Sequence, residues 1–403
     1  MKTKKGQNNK RIARFPDSRK GTEESFFKKL YIPRAKSFGI FMGLVLIAAV
    51  AAFIFYMAAQ YKEYTGYRVI NTAEVKISAG SNVIRFGESL LVYGNDGAKC
   101  VDSSGEVIWN VAYEFQKPML DICGDVVGIA NYNGTKIYMM SEKEVLGEIN
   151  TGMPVRNFRV SAQGLAIAVL DDSTTAPIYI YDTEGNKKAF FSTSMKNSGY
   201  PLALSISENG YLVGVSYLYV DAGSYKSNVA FYNFGEVGQN VTDNLVSGYT
   251  YSNAVVPQIQ FIGNDKAIAV ADNRLIFYEG GEKPTNKDNV ILQEEIISTF
   301  YSDKYVALVF EGTEEDGRYR IDIYNGKGIC QDSFFYDEDY KEMFFAEDYL
   351  VIYSEERCLV HRVGGIDKFN GAFESPIVAM MPTGSANRYV IVSGEKVETI
   401  RFE

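Results

Sequence analysis

Histidine is all but missing from this chain of 403 residues, with His361 the one copy. Imidazole-based zinc sites and Ser-His-Asp or Cys-His catalysis draw on histidines from separated parts of a sequence, so a single one leaves those mechanisms unsupported. His361 falls inside an apolar stretch, 358–363, and reads as a structural residue. Tryptophan is equally scarce, with Trp109 alone. The four cysteines, Cys100, Cys123, Cys330 and Cys358, show no C-x-x-C spacing, which removes thioredoxin-like chemistry and thiolate metal clusters. Three disulfide connectivities stay open, and four buried free thiols are the expectation. Gly-rich phosphate-binding motifs are absent. The acidic loops 311–316 and 337–339 match no EF-hand and read as solvated turns. No catalytic, cofactor-binding or metal-ligating residue is expected, and no cofactor.

Acidic residues are also nearly absent from the first 37 positions. These hold twelve Lys/Arg against three Asp/Glu, a net of +9 in a chain whose total is −9, which leaves −18 for the remainder. So acidic a body argues against nucleic acid as its partner. Residues 1–37 have too little apolar content for a core and are expected to be a mostly disordered tail. Between tail and body runs an uncharged stretch of 22 residues, Phe38–Ala59. At about 1.5 Å per helical residue this reaches roughly 33 Å, close to the ~30 Å hydrocarbon core of a bilayer. A signal peptide has a shorter apolar core and a shorter basic flank. The expectation is one uncleaved membrane span at 38–59, an N-terminus held in the cytoplasm by the basic flank, and a body outside the cell. A linker, 60–73, then leads to a folded domain, 74–403.

Within that domain no window of twelve or more residues has helical periodicity. Apolar and aromatic runs of five to eight residues alternate with Gly, Asn, Asp and Ser clusters, the pattern of strands and turns. A paired run recurs: 90–93 with 99–102, 126–130 with 136–140, 165–169 with 178–181, and 212–216 with 229–232. Four further pairs begin at Ala267, Val306, Leu350 and Tyr389. The mean spacing, about 43 residues, suits one four-stranded propeller blade. Each pair supplies strands b and c. An inner strand a precedes each, at 83–86, 119–122, 158–160, 202–205, 259–262, 297–300, 343–345 and 378–381. The sequence stops after the eighth c strand, while Glu74–Ser78 precedes the first a strand and has no blade of its own. The fold expected is all-β, an eight-bladed propeller whose N-terminal strand, 74–78, completes the last blade and leaves no open edge. Seven blades and a tandem of sandwiches are the alternatives.

Turn residues agree. Asn133-Gly134 suits a two-residue hairpin turn needing positive φ, and Asp102 to Gly105 and Asp182 to Gly185 suit c–d turns. The first continues to Trp109, giving Asp-x-x-Gly-x-x-x-Trp, which resembles the repeat of quinoprotein-like (PQQ-like) propellers; Ala189 holds the tryptophan position in the Asp182 copy. The overall layout of basic tail, single span and degenerate propeller resembles the membrane-anchored family catalogued as domain of unknown function 5711. That resemblance implies the fold and no known activity.

The b–c connections are unequal, tight at 131–135 and extended at 171–177, 219–227 and 312–318. In a propeller the b–c and d–a connections share one face, so the long ones point the same way. Asp171, Asp172, Tyr217, Tyr219, Tyr225, Glu314 and Glu315 are the candidate partner-binding residues on or beside them. The closing strand is a d strand, so the linker arrives on the opposite, plainer side. The expectation is a non-enzymatic, single-pass membrane protein whose external propeller is a binding or scaffold platform for an envelope protein or cell-surface polymer. A quinoprotein-type dehydrogenase and an external ligand sensor are the alternatives.

Overall fold

The computed structural model describes residues 41–403 except 56, 58–60, 79, 103, 194–198, 222, 314 and 386. The basic tail, both ends of the apolar run and the candidate residue Glu314 lie outside the described residues. The chain divides into two units at Lys62/Glu63. In the first, residues 41–55 are helical, and Phe41, Leu46, Ile47, Phe53 and Phe55 are exposed. Among the described residues no helix is long and apolar enough to cross a membrane; the expected span, 38–59, extends past both ends of the described helix.

The second unit is all-β and contains eight four-stranded antiparallel sheets. Seven are built from consecutive strands, spanning 82–112, 118–150, 155–193, 200–252, 258–291, 296–336 and 342–372 as blades 1 to 7. In the eighth, strands Ala379–Ser385, Arg388–Ser393 and Lys396–Phe402 are completed by Tyr67–Glu74. Every expected a, b and c strand is present.

Ring closure by an N-terminal strand is therefore correct in kind but not in position. Tyr67 pairs with Phe402 and Glu74 with Lys396, so the strand ends where 74–78 was expected to begin, and the second half of the expected linker, 67–73, is strand. The reason is burial. An outermost strand covers little core, and Tyr67–Glu74 is largely exposed, so it carries no apolar alternation. Val75 and Ile77, which do alternate, instead pack in the seam between blades 8 and 1 with Val83, Val92, Ala379 and Val392.

The core is not one mass. It forms eight apolar clusters, each drawing its buried residues from two neighbouring blades, one cluster for every pair around the ring. This explains why the b strands read as continuous apolar runs. Successive side chains point to opposite faces of a strand, and here both faces are seams. In blade 3, Ala166, Ala168 and Leu170 enter the seam with blade 2 while Ile167 and Val169 enter that with blade 4.

Two glycines show how closely the blades approach. A Cβ on Gly128 would sit 2.7 Å from both Phe158 and Val160 of the next inner strand, and one on Gly214 would sit 2.7 Å from Ile259. Both occupy the third position of the run in their b strands, and both face the neighbour's inner strand. The lone tryptophan also bridges blades, as the resemblance implies: Trp109 is buried, and its Nε1–H donates to the Ser141 carbonyl of blade 2 at 2.8 Å.

The Asn133-Gly134 turn differs from expectation. Strands end at Asn131 and resume at Lys136; Asn133 alone has positive φ, 66°, and the Gly134 N–H donates to the Asn131 carbonyl at 2.9 Å. All four thiols are free, but they are not all buried: Cys100 and Cys358 are, Cys123 is half-buried and Cys330 is exposed.

Candidate interaction face

The b–c and d–a connections lie at one end of the sheets. On blade 3, the first extended connection is held shut by its own aspartates. Asp171 Oδ1 accepts the Ser173 N–H at 2.9 Å, and Oδ2 accepts Arg156 Nε–H at 2.9 Å. The Arg156 hydrogen bond, with the charge behind it, holds the Asp171 carboxyl below the usual carboxylate range. Asp172 accepts the Thr175 hydroxyl at 2.7 Å and the Thr174 and Thr175 N–H groups at 3.1 and 2.6 Å. These bonds hold it below the usual range as well. Asp172 thus spends its lone pairs on the loop, while Asp171 ties the loop to Arg156 of the inner strand, which makes both of them loop staples.

Arg156, at the outer end of the inner strand Val155–Val160, organises its surroundings. Its Nη1 donates to the Tyr132 hydroxyl at 3.2 Å and to Asn133 Oδ1, and its guanidinium carbon lies 5.6 Å from the Tyr132 ring centroid. Lys117 Nζ lies 4.8 Å from the same centroid. A cation near a tyrosine ring within about 6 Å is attracted by the ring quadrupole, by roughly 0.5–1 kcal/mol at exposed sites. Tyr200, at the outer end of blade 4's inner strand, is 40% exposed, and its titration feels Arg156, Tyr132 and Asp171 after the larger effect of burial. Blades 2, 3 and 4 therefore present Lys117, Tyr132, Arg156 and Tyr200 as one group. Sequence reasoning missed it because it followed the long loops; the available signal was a charged Arg at the end of an otherwise inward-facing strand.

The second extended connection is not a loop. Strands Leu212–Asp221 and Ser224–Asn233 pair throughout, with Tyr219 opposite Lys226 and Val220 opposite Tyr225. At ten residues each, against five or six in blades 1 and 2, they extend farther by about 13 Å at 3.3 Å per residue. Val220 is 75% and Tyr225 44% exposed, while Tyr219 is half-buried. Tyr217 is a correction. It is 2% exposed, packs in the seam of blades 3 and 4, and its hydroxyl meets that of Tyr232 at 2.9 Å. It shares a strand face with Tyr219, but it lies within the seam, whereas Tyr219 lies farther out, towards the hairpin tip. The third connection is also a strand hairpin, Tyr305–Thr313 with Gly317–Asn325. Glu315 is exposed at its tip. Blade 5, whose b–c turn is only 272–273, separates it from the group on blades 2 to 4, so the candidates do not form one site.

At the inner strands, a cavity of about 180 Å3 is lined by Asp121, Cys123, Arg159, Ser205, Glu208 and Gln260 among others. Asp121 accepts the Val160 N–H at 2.6 Å and lies 3.8 Å from Arg159 Nε; burial pushes its carboxyl up against the pull of that cation. Neither Trp109 nor His361 is on an inner strand. Among the described residues no group of three His, Cys, Asp or Glu is placed to hold a metal ion.

An eight-bladed propeller, with an aromatic and cationic group on the b–c and d–a side, is the class that this geometry defines. The chain belongs to DUF5711, a family of unknown function, whose model matches residues 60–402. No curated protein matches the sequence. Solved structures share the fold at low identity. AztD from Citrobacter koseri is 11% identical with a TM-score of 0.51, covering 73% of this chain and 87% of that one. Sqt1 from Saccharomyces cerevisiae is 10% identical with a TM-score of 0.51, covering 84% and 98%. BamB from Moraxella catarrhalis is 10% identical with a TM-score of 0.48, covering 84% and 100%.

Proposed function

We propose that this propeller is a non-enzymatic binding platform, tethered to a membrane by the apolar run 38–59 with its N-terminus cytoplasmic, and that it engages an envelope protein or cell-surface polymer outside the cell. The observation that carries the binding role is the group Lys117, Tyr132, Arg156 and Tyr200 beside the projecting Val220–Tyr225 tip. Tyrosine and arginine dominate the few residues that supply most binding energy at interfaces. The group contains no nucleophile paired with a base, and the quinoprotein alternative finds neither the histidine nor the tryptophan at the channel. Tyr67 opens the closing strand on the a–b and c–d side, opposite this group.

Two experiments test the reading. Crosslinking in intact cells followed by mass spectrometry should identify one partner with wild-type chain; Tyr132→Ala with Tyr225→Ala should lower its capture at least tenfold without lowering the melting temperature. Unchanged capture rejects this face as the platform. For placement, exposed Cys330 should react with a membrane-impermeant maleimide on intact cells, and Cys330→Ser should lose the label. Labelling only after lysis would place the propeller inside.

A further inference from the structure

The sole histidine, unused by the proposed platform, sits between two carboxylates from different blades. His361 is in the third strand of blade 7, Arg357–Arg362, and is 7% exposed. Its Nδ1 lies 2.7 Å from Asp367 Oδ1 in the outer strand of blade 7. Its Nε2 lies 2.8 Å from Asp332 Oδ2 in the outer strand of blade 6. Phe334, also of blade 6, stacks on the ring at 4.1 Å. Asp332 Oδ2 further accepts the Gly364 N–H at 2.6 Å. The remaining charged groups are on the walls of the groove that His361 lines: Glu63, Asp337 and Glu338, the last with Arg357 Nε at 3.0 Å. Lys368, next to Asp367, has its Nζ near the Tyr64 ring.

Carboxylates only accept hydrogen bonds, so both contacts form at once only when the imidazole carries both protons. We propose that His361 is a proton-operated clasp across the seam of blades 6 and 7, closed while the imidazole is a cation and slackened when it loses a proton. Burial alone would push this imidazole down, but the hydrogen bonds and charges of Asp367 and Asp332 outweigh it and hold it above the usual histidine range. After deprotonation one N–H serves two carboxylates, and Asp332 no longer faces a cation. Asp367 is 52% exposed in its side chain and Asp332 18%. Water can therefore replace the donor on Asp367 but less readily on Asp332, and the neutral ring keeps its proton on Nε2.

The sign follows from the raised folded value. The clasp's stabilisation is fully present below the unfolded histidine value of about 6.5 and is lost as pH rises through the folded one. The imidazole signal is clean because the chain has no second histidine, and burial pushes all four thiols up, away from its range. NMR titration of the histidine-labelled protein should show one imidazole titrating above 6.5, with the Nε2–H tautomer at high pH. The wild-type melting temperature should fall as pH rises through that titration. Asp332→Asn should lower the imidazole's titration point and flatten this dependence, and His361→Gln should flatten it too. An imidazole that titrates at or below 6.5, or a pH dependence unchanged in Asp332→Asn, overturns the clasp. Should His361→Gln fail to fold, the wild-type titration and Asp332→Asn still decide.

Discussion

Single side chains bridge the seams of this protein by hydrogen bonds that its repeat only partly records. Trp109 is the one tryptophan of the repeat signature, and its indole N–H reaches the Ser141 carbonyl of the next blade. A half-buried acceptor left without its donor costs towards the low end of about 1–3 kcal/mol, so Trp109→Phe should lower stability by about 1 kcal/mol, read by urea denaturation followed by circular dichroism. The D-x-x-G turns were legible for the same reason: Asp102 accepts the Ser104 and Glu106 N–H groups, and Asp182 those of Glu184 and Asn186, bonds made within five residues of chain. Tyr217 was not legible as a core residue. Whether a tyrosine beside a turn faces in or out depends on how far the strands continue, and the partner hydroxyl of Tyr232 is fixed only by pairing across the hairpin.

Elements repeat more faithfully than residues. The b strands are apolar on both faces because each is wedged between two seams, which made all eight recognisable. The outer strands touch one seam or none, so their composition is free, and the closing strand was placed seven residues too late. Extended b–c connections of blades 4 and 6 were mistaken for loops because their tips, such as Val220 opposite Tyr225, project beyond the core and carry no pressure for alternation. Close approach between blades makes another prediction. Gly128→Ala places a methyl 2.7 Å from Phe158 and Val160 and should cost about 1–3 kcal/mol by overpacking. Gly248→Ala, in an outer strand with its nearest atom at 4.0 Å, should leave the denaturation midpoint unchanged or raise it slightly.

At the scale of the whole molecule, stability rests on closure. With eight seams and no central core, the last blade depends on its closing strand: without Tyr67–Glu74 the hydrogen-bonding edge of Lys396–Phe402 is left unpaired. A chain beginning at Val75, lacking Tyr67–Glu74, should therefore melt at a lower temperature and self-associate through that edge; calorimetry and light scattering would read both, and a monomer of unchanged melting temperature would contradict it. The group on blades 2 to 4 also belongs to this scale, since Lys117 and Tyr132, Arg156, and Tyr200 come from three successive blades and meet only because the ring places neighbouring inner strands side by side.

The all-β class, the eight-fold repeat, its strand order and closure by an N-terminal strand are all written in the chain, because each follows from local periodicity and turn chemistry repeated about every 43 residues. Which strand closes the ring, which tyrosines face solvent, and that the single histidine joins two blades emerge only once the blades pack together. Those outcomes depend on contacts between blades, whose partners are tens of residues apart and leave no periodic mark on the chain.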